Sequence, residues 1–120
     1  MRLSLYIIIG VALLSFVSCG RQQQAKSIVK DFMEANVTNF SKVDYLDFYD
    51  VDSTQAISDS LLQVMRQKAP SHFRHDINYQ QRQGKTLFLL RTKYLLEEDT
   101  CSATFYIDAA MKGVVAFKEN

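Results

Sequence analysis

Two hydrophobic patterns divide the chain. Leu3 to Phe16 is an apolar run broken only by Ser4, Gly10 and Ser15, and it follows the single charge of Arg2. An apolar run of about 7–15 residues behind a basic start is the pattern of a signal peptide. It is shorter than the ~20 residues a bilayer-crossing helix needs. Beyond it the apolar positions become periodic. Ala25, Ile28, Val29, Phe32 and Met33 recur at helical spacing, with Lys26, Lys30, Asp31 and Glu34 on the rest of the turn. That spacing predicts an amphipathic helix over 23–36. The stretch 43–51 is rich in Tyr, Phe and Val and predicts a strand, although Asp44, Asp47 and Asp50 spoil its alternation. Ile57, Leu61, Val64 and Met65 give a second helix its stripe. Asp52-Ser53 or Ser58 caps that helix, and Pro70 stops it.

Four strands are expected after it. Phe73, His75, Ile77 and Tyr79 alternate with Arg74, Asp76, Asn78 and Gln80, and Gln83-Gly84 is a hairpin signal. Residues 86–96 form a long apolar strand, Cys101, Ala103, Phe105 and Ile107 alternate again, and 113–118 is the last strand. Short loops between consecutive strands imply an antiparallel meander. The expected fold is therefore α+β, with two helices packed on one face of a curved, mainly antiparallel four- to five-stranded sheet. This element order, over about 23–118, resembles the cystatin-like and NTF2-like superfamily, whose members hold helices in the hollow of a bent sheet. The resemblance is one of element order, without a shared motif.

The segment Ser15-Phe16-Val17-Ser18-Cys19-Gly20 resembles a lipobox, with small residues on both sides of the cut and Phe16 where Leu is usual. Relaxed boxes of this kind are similar to those of Bacteroidetes lipoproteins. The resemblance implies cleavage before Cys19, lipid (diacylglycerol and palmitate) on its thiol, and a membrane partner through that lipid. Each buried methylene contributes about 0.8 kcal/mol, so two or more chains anchor permanently. Gly20, Arg21 and Gln22 follow the cysteine in place of acidic residues, which points to the periplasmic face of the outer membrane. The expected organisation is a signal peptide over 1–18, a lipidated cysteine and tether over 19–24, and one domain over 25–120. A fully extended five-residue tether would reach at most ~18 Å. Asp52-Ser53-Thr54 and Asp59-Ser60-Leu61 resemble the Asp-Ser/Thr-apolar tripeptide that Bacteroidetes O-glycosylate, which makes Ser53 and Ser60 glycosylation candidates.

Removing residues 1–18 takes one base, Arg2, and leaves 13 basic and 13 acidic residues. That balance argues against nucleic acid as a partner and against a polybasic membrane grip. Asp50-Val51-Asp52-Ser53-Thr54 matches the DxDxT pattern of haloacid-dehalogenase phosphatases. Those enzymes need a parallel Rossmann-like sheet that this chain cannot supply, so a strand end running into a helix cap is the better reading. Asp44, Asp47, Asp50, Asp52 and Asp59 lack the ligand spacing and glycine of a calcium loop, and read as a solvated acidic edge. His72 and His75 lie three apart, on opposite faces of a strand, and do not share a metal. No metal or other cofactor is expected.

With Cys19 lipidated, Cys101 is the one remaining thiol. His75 falls on the apolar face of its expected strand, so Cys101 and His75 are the one catalytic dyad on offer. The leading expectation is a non-catalytic binding or accessory module. The rival is a small hydrolase or isomerase working in the hollow of the sheet. Both faces of the long strand carry large apolar residues, and the neighbouring strands do the same. Leu87, Leu89, Tyr106 and Phe117 are thus expected to form a contact surface, most simply a homodimer across two sheets. The alternative is a curled sheet or long loop that buries them within one chain.

Overall fold

The computed structural model describes residues 20–120; the expected signal peptide and Cys19 lie outside the described residues. The described part of the first helix, α1, covers 20–36. A 3-10 turn at Phe40–Lys42 leads into strand β1 (Val43–Phe48) and the short β2 (Asp52–Thr54). Helix α2 (Asp59–Gln67) and strands β3 (Leu87–Leu96), β4 (Asp99–Asp108) and β5 (Val114–Glu119) complete the order. The sheet runs β1-β3-β4-β5, every pairing is antiparallel, and β2 extends the β1 edge by pairing with the first half of β3. Irregularities between Tyr45 and Asp47 and between Tyr106 and Ile107 add local twist. The fold is the expected α+β class with a five-stranded, mainly antiparallel sheet.

Period-two alternation splits the sheet side chains between two cores. On the face of Leu90, Tyr94, Ala103, Phe105, Ile107 and Phe117 lies α1, through Ala25, Val29, Phe32 and Met33. Phe32 is the hub of this core: its ring centroid lies 5.6–6.3 Å from those of Phe73, Tyr79, Phe105 and Phe117. On the other face Leu87, Tyr106, Val115 and Ala116 receive Leu62 and Met65 of α2. The two helices thus cover opposite faces, where the sequence pattern had suggested one. Ser58 caps α2, its hydroxyl accepting the Leu61 amide at 3.1 Å. The buried positions of α2 are Leu62 and Met65, while Leu61 and Val64 of the expected stripe are 42% and 44% exposed.

The strand expected over 73–80 does not form. Residues 71–86 instead wrap the β5 edge as an extended segment with few backbone bonds to its neighbours. The Arg74 amide donates to the Asn36 carbonyl, the Thr38 amide to the His72 carbonyl, and the Gln80 amide to the Val114 carbonyl. Phe73, Ile77 and Tyr79 still turn inward, so the alternation was real. It served packing against α1 and β5, not a ladder. Gly84 takes the positive φ of a turn (+76°), with no strand before it. Arg82 holds that turn to the start of α2, donating to the carbonyls of Ile57, Gly84 and Lys85 and to Asp59 Oδ1.

The expected tether also differs. Residues 20–24 are already helical, and Gln22 is locked to the sheet edge. Its carboxamide donates to the Tyr49 carbonyl at 2.9 Å and accepts the Val51 amide at 2.7 Å. Arg21 lies over the Phe88 ring, 4.9 Å from its centroid. Residues 20–24 thus pack with the domain and do not form a slack chain.

Candidate functional site

The two residues expected to act together are apart in environment. His75 sits at the bend of the 71–86 segment and is exposed, so it is not on the apolar face. The segment breaks its alternation there, which turns His75 outward while Phe73 and Ile77 stay in. Its neighbour His72 takes the inward place. The His72 Nε2 shares a 2.9 Å hydrogen bond with the Tyr94 hydroxyl. Tyr94 stands opposite Cys101 in the β3–β4 register. Cys101 also donates to the Asp99 carbonyl at 3.8 Å.

The electrostatics of this group oppose nucleophilic catalysis. Burial, aided by the negative charge of Glu119, pushes the Cys101 thiol up, so thiolate is disfavoured. Burial lowers the His72 imidazole, with Glu119 acting in the other direction. Burial raises Tyr94, with further contributions from Cys101 and Glu119. The arrangement is a His72–Tyr94 hydrogen-bonded pair beside Cys101 at the end of the α1 core. Three further polar atoms on this face, the Tyr45 and Tyr79 hydroxyls and Thr92 Oγ1, are buried without a partner among the described residues. Burial, then Glu34 and Asp31, raises Tyr45 to about 12. Among the described residues, no group of three or more His, Cys, Asp or Glu side chains is placed to hold a metal ion.

The expected partner surface is not a surface. Leu87 is 0% exposed and Tyr106 5%, both beneath α2, and Phe117 is 1% exposed in the opposite core. Leu89, at the margin of α2, is half-buried. The reason is the split of the two helices: α2 covers the second apolar face within one chain. Of the glycosylation candidates, Ser60 is exposed on α2, and Ser53 is exposed within β2 opposite Phe88, not in a loop.

What α2 leaves uncovered is the other half of its face. There an open groove of about 500 Å³ is lined by polar and basic side chains of β3, β4 and β5, with Leu89 along its α2 side and Tyr49 at one end. Arg91 pairs with Thr104 across β3–β4, and Thr104 with Lys118 across β4–β5, so the three stand in one row. The Tyr49 amide donates to the Arg91 carbonyl, which places Tyr49 at the end of that row. Thr104 is buried, its hydroxyl donating to Asn120 Oδ1 at 2.9 Å, while the Asn120 carboxamide donates to Ser102 Oγ at 3.0 Å. Among the described residues neither Arg91 nor Lys118 is in an ion pair. Sequence reasoning missed this site because alternation along β3 placed Arg91 and Lys93 between leucines. Read alone they look like stray surface charges. Only the register brings Lys118, 27 positions away, into line with Arg91.

Comparison of the chain with protein-family models, with curated proteins and with solved structures finds no match. Among the described residues no helix is long and apolar enough to cross a membrane.

Proposed function

We propose that the protein is a lipoprotein anchored through Cys19 to the periplasmic face of the outer membrane, where it acts as a non-catalytic binding module. The observation that carries the binding reading is the uncovered half of the α2 face. Both cores are closed by helices, yet this half presents a groove with two cations that, among the described residues, lack ion-pair partners. A sheet face left to water keeps polar side chains without any need for a groove or for hydroxyls ordered by a network. The rival reading, a hydrolase or isomerase in the hollow of the sheet, gains nothing from the geometry. α1 and its aromatic partners fill that hollow, and burial pushes the Cys101 thiol up.

The anchor supports the same reading. With α1 helical from residue 20 and Gln22 locked to residues 49–51, lipid on Cys19 would hold the domain in one orientation at the bilayer. Two experiments test the proposal. Cells grown with an alkyne fatty acid should label the wild type and not Cys19→Ala; a labelled variant refutes the anchor. A benzophenone side chain placed at Ser102 in intact cells should give discrete photo-adducts, and one at Gln63 on the exposed side of α2 should not. Equal yields from both positions refute the groove as the binding surface.

A further inference from the structure

We propose that the groove binds an acidic saccharide, with Arg91 and Lys118 clamping its carboxylate over Thr104; this rests on the binding-module reading above and names its ligand class. Neighbouring strands lie about 4.8 Å apart, so Arg91 and Lys118, one strand removed on either side of Thr104, have backbones roughly 10 Å apart. Both side chains are long enough to converge on one anion between them. Arg supplies a planar fork that matches a carboxylate, and Lys a point charge. Among the described residues no Asp or Glu side chain lines the groove. Lys93, the next cation along β3, is opposed by Asp47 in the β1 register and stands outside the lining, so the positive field is focused on the Arg91–Lys118 row.

The rest of the lining separates a sugar from a bare anion. On the α2 side the half-buried Leu89 is apolar, with Tyr106 buried beneath α2 behind it; the row on the other side ends in Ser102 and Asn120, which is polar. Once Thr104 and Asn120 have satisfied one another, the Ser102 hydroxyl proton and one Asn120 amide hydrogen remain for a ligand. Tyr49, 47% exposed at the groove end, offers a ring face. A pyranose has an apolar C–H face, a rim of hydroxyls and, in a uronic acid, one carboxylate. Those three features match the three kinds of lining. Inorganic phosphate would use the cations and leave the other two idle. The groove is open, so it suits a segment of an oligosaccharide better than a wholly enclosed small molecule.

The test is calorimetric titration of the detergent-solubilised full-length lipoprotein with trigalacturonic acid and with its methyl ester, which keeps the rings and removes the charge. The acid should bind and the ester should bind at least about tenfold more weakly, as should the acid to Arg91→Gln or Lys118→Gln, because each removes a charge-assisted contact. Both residues are exposed, so an unchanged melting temperature in each variant shows that folding is not the cause. Affinity for the acid should fall with added salt. The inference is overturned if the acid does not bind at millimolar concentration, if the ester binds as well as the acid, or if neither variant weakens binding. The failures are distinguishable: photo-adducts from Ser102 without uronate binding leave the binding module standing and remove the saccharide, whereas loss of those adducts removes both.

Discussion

Leu87 tests the central correction of the fold, because the two readings of it differ in kind. As part of a contact surface, Leu87 would be exposed in the monomer, and truncating it would cost the monomer within about ±0.5 kcal/mol, the ordinary range for a surface change. In the structure its side chain is 0% exposed in the core that α2 closes, packed with Leu62, Met65, Tyr106, Val115 and Ala116. Leu87→Ala then removes a fully buried isobutyl group and leaves a cavity, a change that costs about 3–5 kcal/mol when the site cannot collapse. The sheet backbone is fixed by pairing of Leu87 with Thr54 on one side and Asp108 on the other, so relaxation must come from α2 alone. The 101 described residues imply an unfolding entropy of roughly 0.2 kcal/mol/K, so a loss of ~3 kcal/mol lowers the melting temperature by about 14 °C. Circular-dichroism melts of residues 20–120 at two protein concentrations a hundredfold apart provide the assay. The expected result is that large fall, the same at both concentrations. A fall of less than about 2 °C, or a wild-type melting temperature that rises with concentration, would show that Leu87 is covered by a partner and that the intrachain burial is wrong.

Three further outcomes follow from the geometry. His72 has its pKa depressed in the fold, so it favours the folded state above its unfolded value of about 6.5, and that contribution is lost as pH falls through the lower folded value. His72→Gln should therefore flatten the stability profile below pH ~6.5, measured by urea midpoints at pH 7.5 and 5; an unchanged profile would mean the imidazole is not held neutral. In the Cys19→Ser protein, iodoacetamide should alkylate Cys101 more slowly than a model thiol at neutral pH and reach the model rate in denaturant, since burial disfavours its thiolate; faster native reaction would return the nucleophile reading. Asp108 is fully buried and its Oδ1 accepts the Lys112 and Gly113 amides at 2.8 and 2.9 Å, tying the β4–β5 turn. Asp108→Ala strands both amides and should cost about 2–4 kcal/mol; a melt within 2 °C of wild type would show that the turn holds itself.

The periodicities of the sequence were enough for the two helices, for the strands from Leu87 onward and for the α+β class, because each rests on local geometry: 3.6 residues per turn in one case, two per repeat in the other. The apolar residues on both faces of β3 were also legible. What covers the second face was not, since that depends on where α2 docks, and an amphipathic helix of nine residues carries no address. The sequence likewise showed that Phe73, Ile77 and Tyr79 face inward, but not that they reach the core from an extended segment without a ladder. Ladder formation depends on a free strand edge at the right distance, which only the assembled sheet offers. His75 turned outward because the chain bends at residues 75–76, beside Phe73, whose ring centroid lies 4.5 Å from that of Phe117. The groove belongs wholly to tertiary structure. Arg91, Thr104 and Lys118 are unremarkable in sequence and become one row because antiparallel register, a non-local property, sets them side by side.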